Sequence, residues 1–333
     1  MSSVKLSEVT SGEDGMRLDR WFRFHYPDLT HGALQKLLRK GQVRVDGSRT
    51  KANVRLSEGQ TVRIPPMPGA GTGKKPVRSE ISKDDEAFIQ SLVIHKDEDV
   101  IALNKPSGLA VQGGTRTQRH IDGLLDGLKF GSSERPRLVH RLDKDTSGVM
   151  LLGRSRKATT QLARSFKARS TRKIYWALVY GVPRPMLGKI SMPLKKIHGP
   201  QGDRVQQAEL DDEDAQNAVT YYAVLNKAAE RFSWLSVRPI TGRTHQIRAH
   251  MVEIGHPIVG DPKYVIEDPE RAVTSQGISD ALHLHAYSLS LPHPSGGLLE
   301  VTAPLPDHMR KTWDFLGLED QVEYDPLEET EEL

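Results

Sequence analysis

Leu138-Val-His-Arg-Leu-Asp-Lys-Asp-Thr-Ser-Gly148 runs without a break into the apolar segment Val149 to Leu152. An apolar run of this kind, entered through turn residues, reads as a buried strand. The loop at its entrance carries His140, Arg141, Asp143, Lys144, Asp145, Thr146 and Ser147. Cations beside a carboxylate favour and aim its charged form, which suits Asp143 to nucleophilic or base work. The same residues also describe an ordinary polar turn, in which Asp, Ser and Gly satisfy backbone groups. The loop by itself leaves both readings open.

Outward from this loop, short apolar runs recur. They are LVIH (92–95), VIALN (100–104), KIYWALVYG (173–181), AVTYYAVL (218–225), RFSWLSVRP (231–239), HLHAYSLSLPHP (283–294) and LLEVTAP (298–304). Helical spacing is confined to 117–128, 156–168 (Ala158, Leu162, Ala163, Phe166) and 243–254. Strands outnumber helices and mostly follow one another directly. The expected class is α+β, a mixed and mostly antiparallel sheet with flanking helices over residues 91–316. No internal repeat of fixed period is present.

The N-terminal part has a different texture. Residues 1–14 read as a polar arm and 15–64 as a small α/β module. Leu18, Trp21, Phe22 and His25 fall at helical spacing. A second helix is signalled by Thr30 as N-cap, then Leu34, Leu37 and Leu38, with Gly41 as its stop. QVRVDG then predicts a hairpin turning at Asp46-Gly47, and TVRIP a further short strand. Between Met16 and Ile64, 11 Lys/Arg face four Asp/Glu. Arg17, Arg20, Arg39, Lys40 and Arg44 bracket the two helices, which fits the electrostatic footprint of a phosphate-backbone binder or an ordinary solvated helix face. Residues 65–90, rich in Pro, Gly and Lys, read as a flexible linker. GAGTGKKP (69–76) within them lacks the Ser/Thr, strand and helix of a phosphate-binding loop.

Composition narrows the function classes. The 333 residues hold 47 Lys+Arg, 43 Asp+Glu and no Cys. Disulfide scaffolds, Cys-ligated metals and thiol catalysis are excluded. No apolar run approaches the roughly 18 residues of a membrane helix, and the N-terminus lacks a secretory pattern, so a cytoplasmic setting is expected. The last 15 residues carry eight acidic and no basic groups. Removing those eight negative charges from a chain of net +4 leaves a body of +12. A basic body with an acidic tail (317–333), expected to be disordered, fits a polyanionic partner and equally a solvated, soluble surface.

Two further constellations stand out. In Arg238-Pro-Ile-Thr-Gly-Arg-Thr-His-Gln-Ile-Arg-Ala-His250, Thr241 is expected to cap a helix presenting Arg243, Gln246 and His250 on similar faces. Such a row can offer donors to phosphate or pair Arg243 with a carboxylate. It equally fits a basic surface helix. His245 and His250 have no HExxH or carboxylate at ligand spacing, so no metal is expected. In Arg172-Lys-Ile-Tyr-Trp-Ala-Leu-Val-Tyr-Gly181, alternation sets Lys173, Tyr175, Ala177 and Val179 on one face and Ile174, Trp176, Leu178 and Tyr180 on the other. An aromatic such as Tyr175 at a basic strand start can stack an unpaired base. Asp143 and Asp145 also read as a glycosidase pair, but their basic surroundings fit a polyanion better than a neutral sugar.

Residues 15–64, with an RLDR-like helix and GQVRVDG after the second helix, resemble the S4 RNA-binding domain. Six segments in order resemble the RluA-type pseudouridine synthases: NKPSG (104–108), HRLDKDTSG (140–148), RKIYWALVYG (172–181), RPITGRTHQIRAHM (238–251), GHPIVGDPKY (255–264) and LHAYSLSLPHP (284–294). An S4-like module in front is similar to the RluC- or RluD-like members. The resemblance implies isomerisation of specific uridines to pseudouridine in 23S, large-subunit ribosomal RNA by a cofactor-free monomer. It also implies Asp143 as the catalytic carboxylate, with Tyr175 and Arg243 beside it and Arg243 as its ion-pair partner. Arg141 is implied in base flipping, and His140, His245, Gln246 and Arg248 in RNA contact. A non-catalytic RNA-binding or ribosome-assembly factor is the alternative; it would need the basic module but not the framed Asp143.

Overall fold

The computed structural model describes residues 4–10, 13–66, 81–113, 119–168, 171–197, 199, 204–209, 212–266 and 277–329. The chain divides into two compact units, Met1–Glu80 and Ile81–Leu333.

The first unit contains β1 (Lys5–Glu8), α1 (Leu18–His25), α2 (His31–Arg39), β2 (Arg44–Val45), β3 (Ser48–Arg49) and β4 (Thr61–Ile64). Leu18, Trp21 and Phe22 form the buried stripe of α1, and Leu34 and Leu38 that of α2. Both pack with Val43, Val45, Val62 and Ile64. The Thr30 hydroxyl accepts from Ala33 N–H at 3.3 Å and caps α2. Asp46 and Gly47 have φ of 48° and 75°, the pair of positive values that a type I′ hairpin requires. The expected polar arm is in part a strand. β1 pairs antiparallel with β4 from Lys5 opposite Ile64 to Glu8 opposite Thr61. Leu6 on it is 65% exposed, so backbone pairing rather than side-chain burial holds β1. An apolar pattern could not announce it.

The second unit opens with α3 (Lys83–Ser91), which corrects the linker expected through residue 90. Ser82 Oγ accepts from Asp85 N–H at 3.1 Å, three acids sit in the first turn, and Ile89 is fully buried. The charges that read as linker are a helix start. GAGTGKKP lies outside the described residues. β5 (Val93–Lys96), β6 (Val100–Lys105), α4 (Ile121–Leu124) and a 3-10 turn (Leu125–Leu128) follow. Then come β7 (Arg137–Leu138), β8 (Ser147–Gly153), α5 (Arg156–Lys167), β9 (Arg172–Tyr180), β10 (Leu187–Ile197) and β11 (Arg204–Gln207). The unit closes with β12 (Gln216–Ala228), β13 (Phe232–Pro239), α6 (Gln246–Glu253), β14 (Leu284–Pro292), β15 (Leu298–Thr302), α7 (Asp307–Leu316) and α8 (Pro326–Glu329).

Its described strands form one sheet in the order β11-β10-β12-β13-β9-β14-β8-β6-β5, with β15 on β14 and β7 on β8. The β14–β8 contact is parallel, pairing His285 with Ser147 and Ala286 with Gly148; the other pairings of this sheet are antiparallel. Gly148 (φ +107°) is what allows it, since a Cβ there would lie 2.2 Å from Ala286 O. The alternation expected on β9 is present. Ile174, Trp176 and Leu178 pack with Trp234 and α7's Trp313. Ala177 and Val179 pack with Ile247 and Met251 of α6.

The C-terminal segment corrects another expectation. Leu318 and Leu327 are buried, at 7% and 0% exposure, against the Trp234–Trp313 cluster. Each buried leucine contributes about 1.5–3 kcal/mol, so the acidic stretch through residue 329 is docked and not a free tail. No described helix is long and apolar enough to cross a membrane.

Candidate active site

The Asp143 loop joins β7 to β8 and is pinned from several sides. Leu142 is buried in the cluster of Ile101, Leu103 and Met150. Lys105, at the end of β6, is fully buried. Its Nζ donates to Pro106 O and Leu109 O at 2.9 Å and to Lys144 O at 2.8 Å. Burial pushes this amine down to about 7, and the Asp145 and Asp143 charges pull the other way. The three carbonyls suit the three N–H groups of an ammonium. Ser107 Oγ donates to Asp145 O at 2.7 Å. Where the loop enters β8, Ser147 Oγ lies 2.9 Å from His285 Nδ1, and His285 Nε2 lies 3.1 Å from Ala303 O. A carbonyl only accepts, so Nε2 carries the proton and Ser147 donates to Nδ1. The NKPSG and LHAYSL segments thus hold the backbone that carries Asp143.

Asp143 itself is about a quarter exposed, with a side-chain accessibility of 23%. Arg248 Nη1 stands 3.8 Å from its Oδ2, and His245 Nε2 3.7 Å. Arg248 is 2% exposed and is locked behind the carboxylate by Asp261. Its Nε and Nη2 donate to the two Asp261 oxygens at 2.7 and 2.6 Å. Asp261 Oδ1 also accepts from the Lys263 and Tyr264 N–H groups. Gly260 (φ +71°) permits this turn, because a Cβ there would lie 2.0 Å from Ala281 O. Burial opposes the Arg248 charge, but Asp261 and then Asp143 hold the guanidinium above its ordinary value. A bidentate pair is rigid, so the remaining edge of Arg248 is aimed at Asp143.

Arg243 is therefore not the partner of Asp143. Its side chain is exposed and its Nε donates to Asn217 O at 3.3 Å. The reason is where the helix begins. Thr241 does not cap it; its hydroxyl serves Val219 N–H and Gln246 Oε1. The N-cap is His245, in the left-handed region at φ 52°, ψ 19°. That reversal turns Gln246–His250 inward and leaves Arg243 outside. Gln246 and His250 do share a face, but a buried one. Gln246 Nε2 and His250 Nδ1 both meet Thr220 Oγ1, at 2.9 and 2.8 Å.

Other expected contacts change meaning too. Gln246 is 4% exposed with its amide fully used, so it is a structural pin and not an RNA contact. Arg248 is buried in an ion pair, which removes it from any surface. His140 Nε2 accepts from Leu151 N–H at 2.9 Å, and its ring stacks on Phe166 at 4.1 Å. Burial, with the nearby Lys173 charge, pushes His140 down to about 3. It is neutral and structural rather than an RNA ligand. Arg141 is exposed at the mouth of the loop.

Tyr175 packs against the clusters on both sides of the site, that of Leu142 and that of Ile247. Burial, and next the Asp143 charge, raise its phenol well above the ordinary value. It is protonated at neutral pH, which fits a stacking or donating group better than a base. His245 Nδ1 lies 3.0 Å from Tyr264 Oη, which accepts from Val205 N–H at 2.7 Å. Burial pushes Tyr264 up to about 12, so its hydroxyl has a proton for Nδ1. Nε2–H then faces Asp143. Burial lowers His245 despite the Asp143 charge.

Reading the sequence alone missed Lys105, Asp261 and Tyr264. Lys105 had a signal: it continues the buried alternation of Ile101 and Leu103 on β6, a position where a lysine needs partners. Among the described residues no group of three or more acidic or histidine side chains suits a metal ion.

The RNA pseudouridylate synthase family model matches residues 99–253, the span that holds Lys105, Asp143, Tyr175, His245 and Arg248. The chain is 33% identical over 316 residues to the ribosomal large subunit pseudouridine synthase C of Escherichia coli O157:H7, covering 93% of this chain and 95% of that protein. It is 34% identical to the mitochondrial RNA pseudouridine synthase 4 of Arabidopsis thaliana, covering 94% and 81%. A solved structure of human RNA pseudouridylate synthase domain containing 4 superposes with a TM-score of 0.59 at 29% identity, covering 71% of this chain and 98% of that one.

Proposed function

Because the chain belongs to the RNA pseudouridine synthase family, we propose that it isomerises specific uridines of large-subunit (23S) ribosomal RNA, with Asp143 as the catalytic carboxylate. The observation that carries this reading is a partly exposed carboxylate backed by the buried guanidinium of Arg248 and flanked by Tyr175.

The target uridine leaves its stack, at a cost of a few kcal/mol. Arg141 fills the vacated space and Tyr175 stacks beneath the flipped base. The C1′–N1 bond breaks, the uracil turns, and C5 bonds to C1′. The proton on C5 leaves and N1 ends protonated, so no atoms are gained or lost overall. Asp143 works on the ribose, by attack at C1′ or by removing a sugar proton. Arg248 holds the carboxylate in place, the role expected of Arg243. No metal, nucleotide or redox group enters the scheme, and one copy of the chain holds all of these groups.

The N-terminal unit acts as an S4-like RNA-binding domain. Arg20, Arg39 and Lys40 are exposed and available to phosphates. Arg17 is engaged with Asp19, at 3.1 and 2.6 Å. Arg44 donates to Gly41 O and Gly47 O and pins the hairpin.

The experiment is pseudouridine mapping of large-subunit ribosomal RNA treated with the wild-type protein or with Asp143→Asn. Modified positions should appear with the first and vanish with the second, a loss of about 10⁴-fold or more in rate. RNA affinity should stay close to wild type. RNA binding by the wild-type protein without any modified uridine would make it an assembly factor and end the proposal.

A further inference from the structure

We propose that the outer face of α5 is a docking track for the phosphate backbone of the RNA strand flanking the target uridine. The proposal rests on the RNA-modifying reading above and says which surface of the second unit meets the strand.

α5 is amphipathic in an unusual way. Its inner side is Ala158, Leu162 and the half-buried Phe166, four residues apart each time. Its outer side is Lys157, Thr160, Arg164 and Lys167, all exposed. These follow the i, i+3, i+7, i+10 spacing of a single helix face. The helix, RKATTQLARSFK, has no acidic residue. No ion pair is formed by Lys157, Arg164 or Lys167 among the described residues.

Helix stability accounts for only part of this charge, since Arg164 and Lys167 stand in the last turn, where the dipole favours cations. Lys157 lies in the first turn, where the helix dipole disfavours a cation and where α5 has no acid to offset it. Arg164 and Lys167 are like charges three residues apart, which repel. A polyanion laid along the face would relieve both penalties. Ten residues of helix cover about 15 Å, the length of a short run of phosphates.

The track also leads to the right place. Phe166 stacks on His140 at 4.1 Å, next to Arg141 and three residues from Asp143. The half-buried Lys173 is near enough for its charge to act on His140. The C-terminal end of α5 therefore abuts the loop that receives the flipped base. The charge is complementary to a nucleic-acid backbone and there is no aromatic on the outer face to read bases.

The test uses the full chain with Lys157, Arg164 and Lys167 all changed to Gln, on a transcribed ribosomal RNA fragment that the wild type modifies. Rates are measured from 50 to 300 mM salt. The variant should lose at least about tenfold in kcat/KM at moderate salt, chiefly through KM. The slope of log kcat/KM against log salt should flatten by about 2 to 3, the share of three phosphate contacts. Lys311→Gln, a single exposed charge on α7, sets the effect of removing charge elsewhere. An unchanged slope and KM in a variant with wild-type thermal stability would overturn the track while leaving the isomerase reading intact. Failure of the wild type to modify any fragment would sink the isomerase reading instead, and RNA affinity measured over the same salt series would then decide the track alone.

Discussion

Both units of this protein carry exposed cations, but the second also buries a set of charged and titratable groups. In the first, Arg20, Arg39 and Lys40 are on the outside, and among its described residues the buried charge is Glu13, paired with His25. In the second, Lys105, Arg248, Asp261, His250, His283 and His285 are buried to 4% exposure or less. Exposed cations act over a distance, are screened by salt and can replace one another. Buried ones are costly to desolvate and survive only with partners in fixed geometry. Exposed cations, on the first unit and on α5 of the second, attract a polyanion; the buried groups of the second unit hold one carboxylate in one orientation.

The sharpest way to break this contrast is Arg248→Met. It leaves Asp261 buried and unpaired, which should cost about 3–5 kcal/mol, a large part of the 5–15 kcal/mol that typically holds a domain together. Urea unfolding measures it. Arg248→Lys keeps the charge but not the fork and should fall between Met and wild type. A Met variant as stable as wild type would show that the buried pair does not organise the site.

Acid should expose the second unit next. Burial pushes His250, His283 and His285 down to about 4, whereas an unfolded histidine titrates near 6.5. Between these values the unfolded chain binds more protons than the folded one. Stability is therefore complete above about pH 6.5 and falls as pH drops toward 4, by up to about 1.4 kcal/mol per unit for each histidine. Thermal midpoints from pH 7.5 to 4.5 would show it, and a flat profile would contradict the neutral, buried assignment.

Changing Arg20, Arg39 and Lys40 together to Gln should barely move stability, within about 0.5 kcal/mol. It should weaken RNA binding and reduce the salt slope by about 2 to 3. Filter binding over a salt series checks it, and an unchanged slope would remove the first unit from the RNA contact. The smallest effect is expected from Arg243→Gln. An exposed arginine bonded to one carbonyl should alter kcat by less than about threefold. A collapse of activity with Arg243→Gln would restore it as the partner of Asp143.

Legibility followed the physics of each element. β9 and β8 were readable because burial imposes a period of two or an unbroken apolar run. α1, α2 and α5 were readable from their stripes, and the Asp46-Gly47 turn from its need for positive φ. β1 and α3 were not, because one is held by backbone pairing and the other is written mostly in charged residues. At the site, composition marked the Asp143 loop as dense in polar groups, the family resemblance singled out Asp143 and Tyr175 within their segments, and neither chose correctly between Arg243 and Arg248. Both lie in TGRTHQIR, and only the left-handed turn at His245 separates an outward from an inward guanidinium.

Residue order alone settled the alternation of the sheet, the Thr30-capped helix, the cationic excess and which loop is dense in polar groups, because these depend on neighbours a few positions apart. Folding in three dimensions decided which cation faces Asp143, that Lys105 and Ser107 clamp its loop, and that the acidic end is docked. Those contacts join segments 38 to more than 100 residues apart, and no local pattern encodes the distance between them.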